Sequence, residues 1–199
     1  MRFLIVAGHW EKDLGAIGYS ETNRIAEARA NLNVALELER LLSAQGHEVI
    51  MYRRTHEDQG HKNGNAIIVD VQKMTKLVKA DYAIHIHHNA GGGKGYEICV
   101  QVRKNIVNQS EQLAYCVLDE FAKINPTRHG SGIVKKYNTL HIGSYFGVLR
   151  TAEEVGTIAI ITEFAFLDSK DVEKVDTLSE QQAEAKAIYE GILNYIERG

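Results

Sequence analysis

Thr157-Ile158-Ala159-Ile160-Ile161-Thr162 is an apolar run rich in β-branched residues. A strand with one wet face alternates apolar and polar side chains, whereas an unbroken apolar run fits a strand covered on both faces, near the centre of a parallel sheet. Phe3-Leu4-Ile5-Val6-Ala7 has the same character, and Glu48 to Arg53, Tyr82 to Ile86 and Tyr96 to Val102 supply further strands. Between them lie segments with helical spacing. Ile25 to Ala44 carries Leu32, Leu36 (or Ala35) and Leu42, with Thr22 or Asn23 as cap and Gly46 as stop. Ile67 to Lys79 carries Val71, Met74 and Val78; Glu111 to Lys123 begins at Ser110 and stops near Pro126; Glu180 to Ile196 is a terminal amphipathic helix. His56 to Asn65 reads as a loop, and 128–148 holds at most short strands. Strands alternating with helices predict an α/β fold: one mostly parallel, twisted sheet flanked by helices. Residues 1–199 form a single domain, long enough to bury a core without covalent staples.

Composition excludes several functions. Apolar residues are 44% and charged residues 25%, so the chain is not disordered. With 23 Lys and Arg against 26 Asp and Glu, the net charge is −3, which gives no support to a nucleic-acid or polybasic membrane partner. Cys99 and Cys116 are too few for a disulfide scaffold and badly spaced for a thiolate zinc site; both read as core in a protein of a reducing compartment. The apolar start breaks at Gly8-His9-Trp10-Glu11, short of an export signal, and no stretch approaches the roughly 18 apolar residues of a membrane span. The chemistry therefore rests on the nine histidines and their acidic neighbours.

Open α/β sheets gather function at the carboxyl ends of their strands. His9 follows the first strand, His87 the third, and Glu163 the Thr157–Thr162 run. Alternation puts His85 and His87 on one face and His88 on the other, and His87 lies nearest the strand's end. Two imidazoles plus one carboxylate, with a position left for water, suit catalytic zinc. Glu21 and Glu27 both compete for the third place; Glu27 is mildly preferred because a helix's first turn holds it, although a solvated first-turn carboxylate is also favoured by the helix dipole. Gly91-Gly92-Gly93-Lys94-Gly95 lacks the ending of a phosphate loop and is a connector, and neither Gly130-Ser131-Gly132 nor Gly143-Ser144 fits a nucleophile elbow. Trp10 is either a stacking platform or packing.

These motifs in this order resemble the zinc-dependent N-acetylmuramoyl-L-alanine amidases of the Amidase_3 type, which include phage endolysins and bacterial autolysins. The resemblance runs through Val6-Ala7-Gly8-His9, Asp13-Leu14-Gly15-Ala16-Ile17-Gly18, Glu27-Ala28-Arg29-Ala30-Asn31-Leu32, Ala80-Asp81, Ile86-His87-His88-Asn89-Ala90, Gly95-Tyr96-Glu97-Ile98, Val148-Leu149-Arg150 and Ile161-Thr162-Glu163-Phe164-Ala165-Phe166. It departs at Trp10-Glu11, where glycines are common, at Val69 to Lys79, which lacks the usual Arg, and at Ser169, where Asn is frequent.

The resemblance implies Zn2+ on His9, Glu27 and His87, with Glu163 as the catalytic carboxylate. It implies peptidoglycan as substrate, cut between N-acetylmuramic acid and the L-alanine of the stem peptide. A zinc peptidase acting within the stem peptide, or a non-catalytic wall-binding metal module, are the alternatives. The expected setting is synthesis in the cytoplasm without a signal peptide, then action on the cell wall after phage lysis or autolysis, as a standalone unit or as the catalytic part of a longer protein. Glu163 is expected to end its strand, with Phe164 and Phe166 limiting water around it and raising its pKa; pairing with Arg150 is the structural alternative. His56, His61 and His129 are not expected to bind the metal.

Overall fold

Phe3 and Ile5 point to one face of the central sheet, and Leu4 and Val6 to the other; all four are buried. That double burial is what the unbroken apolar runs require, and helices supply it on both sides. The computed structural model describes residues 1–57, 64–103, 107–140 and 143–198, with backbone alone at 64–66, 107 and 108. In chain order the elements are β1 (Arg2–Ala7), β2 (Ile17–Tyr19), β3 (Arg24–Ala26), α1 (Glu27–Ala44), β4 (Glu48–Met51), α2 (Gly64–Val78), β5 (Tyr82–Asn89), β6 (Tyr96–Val100), α3 (Val107–Ile124), β7 (Arg128–Val134), β8 (Tyr137–Asn138), β9 (Gly143–Ser144), α4 (Gly147–Val155), β10 (Ile158–Phe166), a 3-10 turn (Lys170–Lys174) and α5 (Leu178–Arg198).

The sheet order is β4-β1-β5-β10-β6-β7. The first four strands are mutually parallel, β6 runs antiparallel to β10, and β7 is parallel to β6. The expected α/β sheet is thus present, and the Thr157–Thr162 run does lie inside it, between β5 and β6. On one face Leu38 and Leu42 of α1, Phe121 of α3 and Ile188 of α5 join Phe3, Ile5, Ile84 and Phe164 in the larger core. On the other, Val71 of α2 and Leu149 and Ala152 of α4 cover Leu4, Val6, Ala83 and Ile161.

Several boundaries differ from the sequence reading, each for a local reason. Helix α1 starts at Glu27, not Ile25, because residues 17–26 form the β2–β3 hairpin. Thr22 and Asn23 do not cap it; both bond to the Asp176 carboxylate instead. Ser110 lies inside α3, where its hydroxyl donates to the Ala159 carbonyl at 2.7 Å. Strand β5 runs to Asn89 and β10 to Phe166, so His87 and Glu163 sit within paired strands. Within 128–148, β7 is a full seven-residue strand, and the following helix α4 carries no clear apolar run in the sequence. Of the loop read across His56–Asn65, residues 58–63, including His61, lie outside the described residues, and Gly64 already begins α2.

Candidate active site

Glu27 opens α1 without any side-chain cap on the preceding Ala26. The loop Leu14–Ala16 does the capping through its backbone: Glu27 N–H donates to the Ala16 carbonyl at 2.9 Å and Ala28 N–H to that of Leu14 at 3.0 Å. This folds the carboxylate inward. Its Oε2 accepts from Ala16 N–H at 2.8 Å, and its Oε1 from His88 N–H at 3.1 Å and the Asn31 amide at 3.3 Å. Glu27 is 3% exposed, so it is no solvated first-turn carboxylate, whereas Glu21 lies exposed on the β2–β3 turn. Gly15 is required here: at φ +67° a side chain is strained, and a Cβ would run into Glu27 Oε2 and the His9 ring.

His9 and His87 face the two oxygens of this carboxylate. His9 Nε2 lies 3.3 Å from Oε2 and His87 Nδ1 3.1 Å from Oε1, with the rings edge to face at 5.1 Å. His9 holds the left-handed φ of +61°, rare for a residue with a side chain, and Gly8 leaves the space that the His87 ring occupies. Asp13 Oδ2 lies 3.1 Å from the other nitrogen of His9, a charge contact rather than an aligned hydrogen bond. One ligand atom from each of His9, Glu27 and His87 falls within 4.8 Å of the others, so the group could hold a metal ion. Separations of 3.1 and 3.3 Å suit the edge of a tetrahedron with bonds of about 2 Å. Burial works against charge on Glu27, but hydrogen bonds and charge from His87 and His9 outweigh it and hold the carboxyl well below its usual range. Burial opposes charge on His9 too, and Glu27 with Asp13 raises that imidazole regardless.

Glu163 pairs with His87 in the β5–β10 ladder and shares its face. It borders a cavity of about 440 Å³ with His9, His85 and His87, walled by Val6, Trp10, Val71, Phe146 and Ile161. Its Oε2 is buried with no hydrogen-bond partner among the described residues. Burial first, then the charges of Glu27, Glu97 and Glu184, raise this carboxyl well above its ordinary value. The wall that excludes water is not the one expected. Phe164 points through the sheet to Phe121, and Phe166 packs on His129; α2 and α4 form the wall instead. Arg150 does not pair with Glu163 but donates to the carbonyls of Ser144 and Tyr145.

A metal-competent His-Glu-His cluster beside a buried carboxylate oxygen with no hydrogen-bond partner among the described residues, on the carboxyl edge of a mostly parallel sheet, matches a known family. The N-acetylmuramoyl-L-alanine amidase pattern (Amidase_3) covers residues 3–194. This chain belongs to the N-acetylmuramoyl-L-alanine amidase family. The endolysin of Bacillus phage SPP1 is 27% identical over 166 residues, which are 83% of this chain and 54% of that protein. The chain therefore spans about half the length of that curated relative. Cwp6 from Clostridium difficile shares the fold with a TM-score of 0.83 at 24% identity, over 98% of this chain and 29% of its own. The catalytic domain of CwlV, the N-acetylmuramoyl-L-alanine amidase of Bacillus (Paenibacillus) polymyxa var. colistinus, gives 0.73 at 27% identity over 98% of both chains.

The remaining histidines near this cluster sort by face. His85 lines the cavity floor, where burial and then the neighbouring His87 push its imidazole down to about 3. His88 lies on the opposite face, buried, with Nδ1 2.7 Å from Asn31 Oδ1 and Nε2 2.9 Å from Glu184 Oε2. His56 and His129 stand apart from the cluster. Three supporting residues escaped the sequence reading. Asn31 links Glu27, His88 and the Gly8 carbonyl, and its place four residues after Glu27 was the available cue. Glu184 reaches the site from α5, with no local signal at all. Buried Arg53 donates to the carbonyls of Ala7, Gly8 and Ala28 at 2.7–3.1 Å, tying β1 to α1 just behind His9. Gly91 and Gly92 turn their N–H groups on Asp168, as befits a connector. Trp10 is packed, at 2% exposure, into the wall of the cavity.

Proposed function

We propose that the chain hydrolyses the amide between the lactyl group of N-acetylmuramic acid and the L-alanine of the peptidoglycan stem peptide. Zn2+ would be held by His9, Glu27 and His87 as its only protein ligands, and Glu163 would be the general base. The observation that carries this reading is a carboxylate, Glu163, standing beside the His-Glu-His set without belonging to it, its buried Oε2 without a hydrogen-bond partner among the described residues. A wall-binding module has no use for such a group.

When bound, zinc would polarise the scissile carbonyl and bring the pKa of its water toward about 7. Everything else falls to the chain. Glu27 stays ionised and rigid because three N–H donors and two imidazoles fix its oxygens. Asp13 favours the His9 ring in the orientation that turns Nε2 inward. Glu163 Oε2 takes the proton of the attacking water, and its raised pKa then suits it to return that proton to the departing amine of L-alanine. The apolar walls from α2 and α4 keep bulk water from short-circuiting this transfer.

The setting follows the endolysin relative: action on the cell wall after release. No described helix is long and apolar enough to cross a membrane. Mass spectrometry of digested muropeptides tests the reading. Intact glycan strands with free peptides beginning at L-alanine are expected, and cuts between amino acids would overturn it. Lysis that survives a strong chelator would remove the metal from the proposal.

A further inference from the structure

The cavity beside Glu163 is lined by His85 as well as by His9 and His87. Its floor is His85, two residues before His87 on β5 and therefore about 7 Å further in on the same face. His85 is 2% exposed, and its Nε2 has no hydrogen-bond partner among the described residues. A buried polar atom left unpaired is unfavourable, and a ligand that pairs it recovers that loss. Around it the walls are Val6, Val71, Phe146 and Ile161, and the charged groups at the mouth are Asp13 and Glu163; no Lys or Arg lines the cavity among the described residues. Such a site takes a small group with an apolar body and one hydrogen-bonding function, and it repels carboxylates.

A second concavity lies further along the same sheet edge, toward β7. It holds Lys94, Arg128 and Lys170, with Asp171 engaged by the Gly95 N–H. Arg128 begins β7, two strands and about 10 Å of backbone from β10 in the sheet order, with its guanidinium over the Tyr96 ring. The two concavities differ in the same way as the two sides of the scissile amide. The amine side continues into a peptide bearing free carboxylates. The acyl side is a lactyl ether on a sugar whose neighbouring carbon carries an acetamido group, a methyl joined to one amide. From the scissile carbonyl that group is reached through the lactyl carbon, the ether oxygen and two ring carbons, a span comparable with the step from His87 to His85.

We infer that His85 determines specificity: the apolar cavity accepts the 2-acetamido group of muramic acid, whose amide meets His85 Nε2, while the anionic stem peptide leaves toward Lys94, Arg128 and Lys170. This rests on the amidase reading above. The test compares one defined muramyl peptide in two forms, N-acetylated and with the free 2-amine. A cationic amine would be welcomed by Asp13 and Glu163, so rejecting it reports on the acetamido site itself.

The wild-type protein is expected to favour the acetylated form in kcat/KM by on the order of tenfold or more. His85→Leu should shrink that ratio, chiefly through KM, at unchanged zinc content, and His85→Gln should recover part of it. Equal cleavage of both forms by the wild type, or a ratio unmoved in His85→Leu, overturns the inference alone. Cleavage of neither form overturns the amidase reading with it. If His85→Leu fails to fold, the wild-type ratio and His85→Gln still decide.

Discussion

Glu163 and His87 are register partners on neighbouring parallel strands, with regular pairing from Ile158↔Tyr82 up to their own pair. The ladder shifts only beyond them, before Phe166↔Asn89. Partners on adjacent strands project to the same face about 4.8 Å apart at the backbone. The spacing between the proposed base and a proposed metal ligand is thus set by sheet hydrogen bonding rather than by a loop. A slip of one residue in β10 would turn Glu163 to the face opposite His87, so the apolar core that fixes the register also fixes the site.

Glu163→Gln keeps the size and polarity of the side chain and removes the base. A fall of about 10²–10⁴ in kcat is expected, with zinc content unchanged, as measured by turnover of a muramyl peptide beside elemental analysis. Near wild-type lysis, or loss of the metal, would remove Glu163 from the proposed role.

The pH profile has a definite sign. Glu163 must be ionised to accept a proton, and burial with nearby carboxylates raises its pKa. Activity should therefore fall on acidification at a pH above the ordinary carboxyl value of about 4.3. Linkage gives the matching stability effect. A pKa raised by folding contributes stability that is complete below the unfolded value and is lost as pH rises through the folded one. Metal-free Glu163→Gln should consequently melt above metal-free wild type at neutral pH, and the gap should close as the pH is lowered toward 4. A gap that widens in acid would mean that Glu163 is not desolvated.

The sheet and the four residues of the proposed centre were legible because their signals are local. Phe3–Ala7 and Thr157–Thr162 are apolar without interruption, and His9, His87 and Glu163 each follow or extend such a run. Glu27 was harder to choose: physics preferred it only mildly over Glu21, and the family motif decided. The environment of Glu163 was misread because Phe164 is adjacent in sequence yet projects through the sheet, while Val71 in α2 and Phe146 just before α4 are distant from it in sequence. Helix α4 was missed because its buried Leu149, Thr151, Ala152 and Glu153 mix polar with apolar residues. Glu153 is buried there to accept from the Val102 and Ser144 backbones, a demand set by tertiary contacts alone.

Asn31 offers a test of how the carboxylate ligand is oriented. Its amide donates to Glu27 Oε1 and to the Gly8 carbonyl, holding both sides of the site from α1. Outer partners of this kind typically matter by about 10–100-fold in metal affinity. Asn31→Ala should weaken zinc binding to that degree in competition with a chelator, with the folded protein still cooperative in melting. An unchanged affinity would show that Ala16 and His88 N–H hold Glu27 unaided.

His88 and Glu184 form an ion-pair contact in which both side chains are fully enclosed. Asn31 uses its NH₂ on Gly8 and Glu27, so its oxygen faces His88 Nδ1, while Glu184 faces Nε2; with an acceptor at each nitrogen the ring carries two protons and a positive charge. Burial opposes that charge, and Glu184 with the nearby Glu27 raises the imidazole's pKa regardless. Removing one partner of a buried ion pair strands the other, at a cost of about 3–5 kcal/mol, whereas replacing both with apolar groups is far milder. Glu184→Leu should therefore lower the unfolding free energy by that amount in urea, and His88→Leu added to it should recover much of the loss. Because α5 contributes Glu184, the single variant should also expose α5 amides to hydrogen exchange before those of β5. A single-variant cost below about 0.5 kcal/mol, the range of ordinary surface changes, would mean that the pair is neutral and the helix is held by Ile188 and its apolar neighbours alone.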